Sequence, residues 1–274
     1  MTYKLFRVRL QHFFRVTGLL AFVENVRFYQ KGMAYQKSNK MFLKENPDFA
    51  LPPAHLAFDA YNAPKWKFYK YSGEETAKFI REIAGKYLED QSHATIYEWG
   101  CGPGRVIRHL PAVFDSTVKI MGSDYNEASV AWCQKNIPGI RFFNNGLYPP
   151  LALDDNTCDM IYSISVFTHL SEETGLKWLQ ELNRILKPGG LLLFTTLGEH
   201  SYNTELLPSE KKLYNKKGIV VRGQYKEGKK MFLTIHNPDY VKENLLKEFE
   251  ILEHKFAGVP HIFQECWIVR KKYP

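Results

Sequence analysis

Short apolar runs alternate with helix-like stretches from about residue 73 to the end of the chain. Strands are predicted for five of these runs: 95–99, 118–123, 140–143, 160–165 and 191–196. Helices are predicted over 73–88 and from starts near Gly104, Glu127 and Ser171. Because the strands are apolar throughout, both of their faces are expected to be covered by helices. The pattern predicts an α/β fold with a doubly wound, mostly parallel sheet and right-handed crossovers.

The helix from Ser171 has the clearest limits in the sequence. Glu172 and Glu173 lie in its first turn, where they favour the helix dipole. Its end is predicted at Lys187-Pro188-Gly189-Gly190, a basic residue followed by helix breakers.

The last seventy residues are predicted to insert a hairpin and then complete the sheet. Segments 218–223 and 231–236 flank the turn 226–229, which indicates a β-hairpin after the fifth strand. A helix over 238–249 and strands near 250–256 and 263–270 follow, giving a seven-stranded sheet. We expect residues 201–236 to form a lid over the substrate.

Charge is distributed unevenly along the chain. The net charge is +8, and residues 1–44 carry nine Lys or Arg against one acid, Glu24. The remaining 230 residues hold 28 basic and 28 acidic side chains. The basic character therefore belongs to an N-terminal tail, and a catalytic body with no net charge gives no support to nucleic-acid binding.

The tail contains an apolar stretch, residues 13–23, which includes Arg15. It is far shorter than the roughly 20 residues of a membrane span, and no small-residue cleavage site follows it. The four cysteines form no CxxC pair and no metal-ligand spacing, so we expect a cytoplasmic protein without disulfides or a metal site. Basic and apolar residues alternate in the tail, but Gly18 interrupts them. The tail is a candidate for peripheral contact with the inner face of an anionic membrane, for docking a partner, or for packing on its own domain.

The first strand runs directly into Gly100-Cys101-Gly102-Pro103-Gly104. Glycines allow positive φ and bring bare backbone against a ligand, and the N-terminus of a following helix would offer free N–H groups. Asp124 ends the next strand, twenty residues beyond Gly104, where its carboxylate can accept both hydroxyls of a ribose. These features predict a site for an adenosine cofactor.

Two residues argue against a dinucleotide. The dinucleotide pattern requires a glycine where this chain has Arg105. Glu98, two positions before the first glycine, would repel a pyrophosphate but suits a ligand that carries an ammonium group.

With these residues the chain resembles the class I S-adenosylmethionine-dependent methyltransferases, whose first motif reads acid-x-Gly-x-Gly-x-Gly. The similarity covers about residues 69–270 and is most specific at Glu98–Arg105, at Asp124 and at Lys187–Gly190. It implies a Rossmann-like methyltransferase fold, S-adenosylmethionine as cofactor and S-adenosylhomocysteine as product. It also implies a division into an N-terminal helical extension and connector, 1–68, and a methyltransferase domain, 69–274.

The same resemblance implies roles for individual residues. The methionyl part would lie along Glu98, Gly100, Cys101, Gly102, Gly104 and Arg105. Asp124 would bind the ribose, Tyr125 would flank the adenine, and Ser163 and Ser165 would face the methionine and the methyl group. The adenine edge would meet Asn145, Gly146 and Leu147, although Asn145 stands where the family often has an acid.

The stretch 165–170, together with Trp178, is similar to a bacterial subgroup that acts on small molecules. That similarity implies that Tyr69, Ser72 and Gly73 help to close over the cofactor. The alternative is that Ser72 caps the start of the predicted helix while Tyr69 packs nearby.

Methyl transfer to a hydroxyl or a protonated amine needs a base in line with the cofactor. His169 is the main candidate because it follows the fourth strand, where a ligand at the carboxyl ends of the strands would lie. His200, Glu199 and His236 are further candidates in the lid. Each of the four has a purely structural alternative, as a hydrogen-bonding or solvated loop residue. The aromatic segment 61–71 and the hairpin are expected to form the acceptor pocket.

Three functions remain open on this basis. The first is transfer to a small-molecule, saccharide or lipid-like acceptor. The second, a nucleic-acid methyltransferase, lacks the Asn/Asp-Pro-Pro-Tyr tetrapeptide of base-amino enzymes, since the chain has Ser163-Ile164-Ser165-Val166 there. The third is a silent cofactor-binding subunit, or a related transferase such as an aminopropyl transferase.

Overall fold

A computed structural model describes residues 3–273, with side chains from residue 8 onward. Its centre is a seven-stranded sheet in the order β3-β2-β1-β4-β5-β9-β8. The strands are β1 (Thr95–Trp99), β2 (Lys119–Asp124), β3 (Arg141–Asn144), β4 (Cys158–Ser163), β5 (Leu186–Thr196), β8 (Phe249–Phe256) and β9 (Glu265–Lys271). The first five pair in parallel, and β9 runs antiparallel between β5 and β8. The predicted doubly wound, mostly parallel sheet of seven strands is confirmed.

Helices cover both faces of the sheet. They include α4 (Trp66–Tyr87), α5 (Glu127–Asn136) and α6 (Glu172–Ile185). One apolar core lies between the sheet and the side of α4 and α5, and a second lies under α6, so that the central strands are buried on both sides. This burial explains why β1 contains a single charged residue, Glu98.

The predicted α-helix after the glycine turn is wrong. Turns lead instead into a 3-10 helix, Ile107–Ala112. Pro111 lies inside this segment and has no N–H to donate to the carbonyl of residue 107, so an α-helical ladder cannot form there. The turn therefore ends without the α-helix N-terminus that the sequence suggested.

The limits of α6 are confirmed at one end only. Ser171 caps the helix by accepting a hydrogen bond from the N–H of Thr174, as its position predicts. The helix ends at Ile185 rather than at Lys187, because the polypeptide enters β5 at Leu186. Residues 187–190 bulge out of the β4–β5 ladder, which resumes at Leu191 opposite Met160.

Helix α4 begins at Trp66, earlier than the predicted start at residue 73. Ser72 is therefore an interior residue and not an N-cap; its hydroxyl donates to the carbonyl of Phe68 over 2.5 Å. The division proposed between residues 68 and 69 falls inside this helix.

The insertion after β5 is larger than the hairpin predicted from sequence. It begins with two helices, α7 (Glu199–Thr204) and α8 (Pro208–Lys217), which the sequence analysis did not predict. The predicted hairpin follows as β6 (Ile219–Arg222) paired with β7 (Leu233–His236). The next helix is shorter than predicted: a turn of α9 (Pro238–Tyr240) continues as a π-helical segment, Val241–Leu245.

The N-terminal tail is helical and lies on its own domain. It forms α1 (Tyr3–Val16) and α2 (Leu20–Glu45), and α3 (Ala54–Tyr61) leads to α4. Arg15 donates to the carbonyl of Met231 in the hairpin, and Lys230 forms an ion pair with Glu24 over 2.9 Å. The tail side chains of Lys4 and Arg7 lie outside the described residues. No described helix is long and apolar enough to cross a membrane.

Candidate functional site

A cavity of about 560 Å³ opens at the carboxyl ends of β1, β2 and β4. The following predicted site residues line it: Glu98, Gly100, Cys101, Gly102, Arg105, Asp124, Tyr125, Asn145, Gly146, Leu147, Ser165 and His169. Seven others lie outside its wall: Tyr69, Ser72, Gly73, Gly104, Ser163, Glu199 and His200. The ends of β1 and β2 thus bring the glycine turn and Asp124 together, as the parallel sheet predicts.

The glycine turn is shaped by close packing and by one carboxylate. Gly100, with φ of 79°, has no room for a Cβ because the side chain of Val166 occupies that space. Gly102, with φ of 52°, donates its N–H to Oδ2 of Asp124 over 2.8 Å. Bare backbone at both glycines therefore faces the cavity, as the sequence predicts.

A second layer of residues holds the turn from behind. The Tyr69 hydroxyl donates to the carbonyl of Pro103 over 2.6 Å, and Ser72 accepts from Arg105 over 3.1 Å. A Cβ at Gly73 would collide with the Arg105 carbonyl, and one at Gly104 with Ile137. These four predicted cofactor residues position the turn and do not line the cavity.

Glu98 is a buried carboxylate at the base of the cavity. Its Oε2 accepts a hydrogen bond from the Tyr162 hydroxyl over 2.8 Å. Burial, partly offset by this hydrogen bond and by the charge of Arg105, raises the pKa of Glu98 to about 8. A cationic group placed beside it would favour the ionised carboxylate.

Arg105 and Tyr61 form the polar wall opposite Glu98. The Arg105 guanidinium is buried and lies 5.3 Å from the centre of the Tyr61 ring. The Tyr61 hydroxyl is buried with no hydrogen-bond partner among the described residues, and it lies next to Gly102. A buried hydroxyl without a partner at a cavity wall is suited to bind a ligand atom. A ligand that carries both an ammonium and a carboxylate suits this pair, because its carboxylate can meet the Arg105 guanidinium and its ammonium group favours the ionised form of Glu98.

Asp124, the last residue of β2, lies beside the glycine turn. Its two oxygens accept from the N–H groups of Gly102 and Asn126, each over 2.8 Å. Burial raises its pKa, although these two bonds oppose the shift. Each carboxylate oxygen retains a lone pair, so the side chain can still accept hydroxyl hydrogens from a ligand.

The adenine-edge candidates continue the wall beyond Asp124. Ser123 donates to Oδ1 of Asn145 over 2.7 Å, which leaves the amide nitrogen of Asn145 bonded to the Gly146 carbonyl. Trp178 donates to the carbonyl of Leu147 over 2.8 Å. The segment 145–147 is therefore fixed at the cavity edge by its own contacts.

The two serines after β4 differ in position. Ser165 lines the cavity with φ of 61°, an uncommon value for a residue other than glycine, and donates to Gln264 over 3.1 Å. Ser163 is fully buried behind it, and its hydroxyl has no partner among the described residues. Only Ser165 is placed to meet a ligand in the cavity.

His169 lines the cavity and is held by the hairpin. Its Nδ1 lies 2.8 Å from the carbonyl of Phe232, which can only accept, so Nδ1 carries the proton and Nε2 keeps a lone pair. Burial lowers the pKa of His169, so the ring is neutral at pH 7. This is the protonation state that a general base requires.

The other base candidates lie away from the cavity. His200 is exposed and stacks on Phe256 at 5.3 Å, and the backbone N–H of Glu199 donates to Glu265. Both belong to α7, the helix that the sequence analysis did not predict. His236, the last residue of β7, is buried and does not line the cavity, and burial lowers its pKa to about 4.

Another part of the cavity wall is built from segments that the sequence analysis did not assign to a site. Helix α2 contributes Ala21, Glu24, Asn25, Phe28 and Tyr29, and α3 contributes His55, Leu56, Phe58, Asp59 and Ala60. Tyr61 comes from the aromatic segment 61–71, which was predicted to form the acceptor pocket. No local motif marks the α2 and α3 residues, because tertiary packing alone brings them to the site.

The hairpin loop lines the cavity, and its role as a substrate lid stays a prediction. Tyr225 and residues 228–231 line it. The Tyr125 hydroxyl donates to the carbonyl of Gly228 over 2.9 Å, and the N–H of Gly228 donates to the carbonyl of His169 over the same distance. The loop thus joins the cofactor candidates to the base candidate.

Comparison with known proteins shows that the central part of the chain is similar to methyltransferases. Residues 96–190 match the family model described as a methyltransferase domain. The chain is 28% identical over 159 residues to a tRNA N(3)-methylcytidine methyltransferase of Schizosaccharomyces pombe, covering 51% of this chain and 52% of that protein. It is 30% identical over 151 residues to phthiotriol/phenolphthiotriol dimycocerosates methyltransferase 1 of Mycobacterium ulcerans, covering 53% of this chain and 49% of that protein. The chain spans about half the length of these two curated relatives.

The fold is also found among solved structures. The crystal structure of a SAM-dependent methyltransferase from Methanosarcina mazei superposes with a TM-score of 0.52 at 20% identity, covering 70% of this chain and 98% of that one. At this identity the likeness concerns the fold. It confirms the Rossmann-like architecture expected from the sequence.

Proposed function

We propose that this chain, whose residues 96–190 match the model of a methyltransferase domain, is a class I methyltransferase that transfers a methyl group from S-adenosylmethionine to a small-molecule, saccharide or lipid-like acceptor. The observation that carries the proposal is the arrangement of polar groups at the glycine end of the cavity. Beside the bare turn lie the Arg105 cation and the Glu98 carboxyl group, which a bound ammonium group would ionise, and Asp124 follows at the next strand. This order matches the amino-acid part and the ribose of the cofactor.

The proposed binding mode uses the free polar atoms of the site. Glu98 receives the ammonium group, while Arg105 and the unpartnered Tyr61 hydroxyl receive the carboxylate. Asp124 accepts the ribose hydroxyls, and the wall formed by residues 145–147 borders the adenine. A dinucleotide fits this site poorly, because its pyrophosphate would lie against the Glu98 carboxylate.

The cofactor supplies an electrophilic methyl group on a sulfonium, and the chain has to orient the acceptor and move its proton. His169 is the proposed base. Its Nδ1 is fixed on Phe232, and its neutral Nε2 is available to take a proton from a hydroxyl or an ammonium group.

The acceptor end favours a ligand with both apolar and polar parts. Phe28, Phe58 and Met231 provide apolar surface, while Glu24 and Lys230 pair at the wall. The relative from Mycobacterium ulcerans is named for methylation of phthiotriol and phenolphthiotriol dimycocerosates, which agrees with an acceptor of this kind.

A nucleic-acid acceptor is the second candidate. The similarity to a tRNA methyltransferase favours it. Against it, the net positive charge comes from the tail, and the rest of the chain carries equal numbers of acids and bases.

Incubation with S-adenosylmethionine labelled in its methyl group tests the proposal. The purified chain is mixed with lipid, saccharide, protein and nucleic-acid fractions of a cell extract, and each fraction is counted. We expect label in the lipid or saccharide fraction and none with an Asp124→Ala variant. Label confined to RNA would replace the proposed acceptor, and absence of label from all fractions would favour a silent cofactor-binding protein.

A further inference from the structure

Helix α2 carries an exposed stripe along the side that faces away from the domain. Its apolar half consists of Phe22, Val26, Tyr29 and Met33, whose exposed fractions are 68%, 40%, 68% and 71%. These positions are separated by three or four residues, so they form one row on the helix.

The row continues at the same spacing into three lysines. Lys37, Lys40 and Lys44 are all exposed. We call these seven residues the outer stripe. The two acids of α2 lie elsewhere: Glu24 is on the buried side, and Glu45 ends the helix off the row.

The opposite side of α2 is attached firmly to the domain, which fixes the stripe outward. Leu20 and Phe42 are buried, and Phe28 contacts Phe58 at 5.3 Å between ring centres. Asn39 donates to the carbonyl of Pro64 over 2.7 Å and accepts from the N–H of Trp66 over 3.2 Å. Rotation of the helix to bury the stripe would break these contacts.

We propose that the outer stripe binds an anionic lipid bilayer. Exposed apolar residues of this size insert at the boundary between headgroups and acyl chains, and lysines on the same side pair with lipid phosphates. Phe13 and Val16 of α1, and Leu19 at the N-cap of α2, are exposed as well and precede the stripe in the chain. A bilayer satisfies both halves of the stripe, since it is apolar inside and negatively charged at its surface.

The charge distribution argues against a second copy of the chain as the occupant. In a parallel pair of α2 helices, Lys37, Lys40 and Lys44 would face their own copies. In an antiparallel pair, the lysines would lie against Phe22 and Val26. Neither arrangement offers an acid to the lysines, whereas an anionic surface does so along its whole extent.

The stripe borders the acceptor end of the cavity. Tyr29 belongs to both, and its neighbours Asn25 and Phe28 line the cavity wall. A bilayer on the stripe would therefore lie beside the cavity, so that an amphiphilic acceptor could enter without crossing water. This second part, an acceptor drawn from the membrane, rests on the proposed function; the binding of the stripe to lipid does not.

Cosedimentation of the full chain with vesicles tests the binding. One set of vesicles contains phosphatidylcholine only, and the other contains equal amounts of phosphatidylcholine and phosphatidylglycerol. We expect the chain to sediment with the second set, less so as salt is raised, and to stay in the supernatant with the first. Failure of the wild-type chain to sediment with the anionic vesicles at low salt would overturn the proposal.

Two variants localise the binding, and neither alters a cavity residue. The first combines Phe22→Gln with Met33→Gln, and the second combines Lys37→Gln, Lys40→Gln and Lys44→Gln. The matched control removes three exposed lysines of α8: Lys212→Gln, Lys216→Gln and Lys217→Gln. We expect vesicle partitioning to fall on the order of 100-fold in the stripe lysine variant and by no more than about tenfold in the control. The reason is that only the stripe lysines would lie at the surface of the bilayer.

Equal loss in the two lysine variants would mean that binding depends on net charge alone, and would overturn the stripe as the site. Analytical ultracentrifugation without lipid is the second readout. A dimer that dissociates in the Phe22→Gln and Met33→Gln variant would assign the stripe to a second copy instead. Calorimetry with S-adenosylhomocysteine, run on every variant, separates the two claims, because the stripe variants should bind it like the wild type whether or not the vesicles are bound.

Discussion

The two ends of the cavity are built in different ways. The glycine end comes from short, contiguous segments at the ends of neighbouring strands, and its atoms are fixed by hydrogen bonds of Gly102, Asp124 and Glu98. The acceptor end is assembled from α2, α3 and the hairpin loop, which lies far along the chain from the two helices. The three meet through the Phe28–Phe58 ring contact and the Glu24–Lys230 pair. A shared cofactor needs the first kind of construction, whereas an acceptor that varies among related proteins needs the second.

This difference explains what each end specifies. Loops and added helices can change without disturbing the sheet, so the acceptor end can be altered while the glycine turn stays in place. His169 lies between the two ends, since it follows β4 and bonds to Phe232 of the hairpin insertion. Substitutions can therefore separate cofactor binding, proton transfer and acceptor choice.

The largest expected effect is that of His169→Ala. Loss of a general base lowers turnover by about 100-fold or more, while affinity for S-adenosylmethionine changes little. A general base is active when it is unprotonated, so turnover of the wild type should rise with pH. Because burial lowers the pKa of His169, turnover should reach its plateau before the pH rises to about 6.5. Steady-state kinetics on the labelled acceptor fraction, with calorimetry for the cofactor, measures both. Unchanged turnover in the variant would remove His169 from the reaction.

Asp124→Ala is expected to weaken cofactor binding on the order of 100-fold, since two hydroxyl contacts to a charged acceptor are lost. Calorimetric titration measures the change. Asp124 also accepts a hydrogen bond from the Gly102 N–H, and the matched Asp124→Asn variant keeps one side-chain oxygen for such contacts. Its cofactor affinity should therefore lie between those of the wild type and Asp124→Ala. Wild-type affinity in Asp124→Ala would refute the ribose assignment.

Glu98 should make cofactor affinity depend on pH. Its pKa of about 8 means that the carboxyl is protonated in the free protein at lower pH, and a bound ammonium group favours the ionised form. Binding then releases a proton, so affinity rises with pH, by up to about tenfold between about pH 6 and pH 7. Titrations at several pH values should show this slope in the wild type and a flat profile in Glu98→Gln. A flat wild-type profile would contradict the pairing.

Tyr61→Phe is expected to lower cofactor affinity about fivefold, the effect of one lost hydrogen bond. The midpoint of thermal unfolding of the free protein should not fall, because the hydroxyl that is removed is buried without a partner. Calorimetry and thermal melts on the same preparation test both parts. A lower midpoint with unchanged affinity would show that Tyr61 serves only packing.

The smallest effects are expected at Glu199→Ala and His200→Ala. Neither residue lines the cavity, and both side chains are exposed on α7. Turnover and cofactor affinity should stay within about twofold of the wild type, since neither side chain touches the cavity. The folded state should also persist, because surface substitutions of this kind change the free energy of unfolding by only about 0.5 kcal/mol. A tenfold loss of turnover in either variant would show that α7 moves to the site during the reaction.

The sheet and the glycine end of the cavity can be predicted from the sequence because their signals are local. Asp124 follows Gly104 at a spacing set by one crossover, and the apolar runs mark the strands. Prediction from the sequence fails where neighbouring residues favour different local structures, or where contacts join distant parts of the chain. Pro111 prevents the expected α-helix, which becomes a 3-10 segment, and Ser72 lies inside α4 instead of capping it. The N-terminal tail, a candidate for contact with a membrane, a partner or its own domain, also lines the cavity through α2.

Calorimetric titration of the purified chain with S-adenosylhomocysteine, and in parallel with NAD, tests the central claim most directly. The arrangement of Glu98, Arg105 and Asp124 predicts saturable binding of the first ligand with one site per chain and no detectable heat with the second. Binding of NAD, or no binding of S-adenosylhomocysteine by a folded chain, would contradict the account.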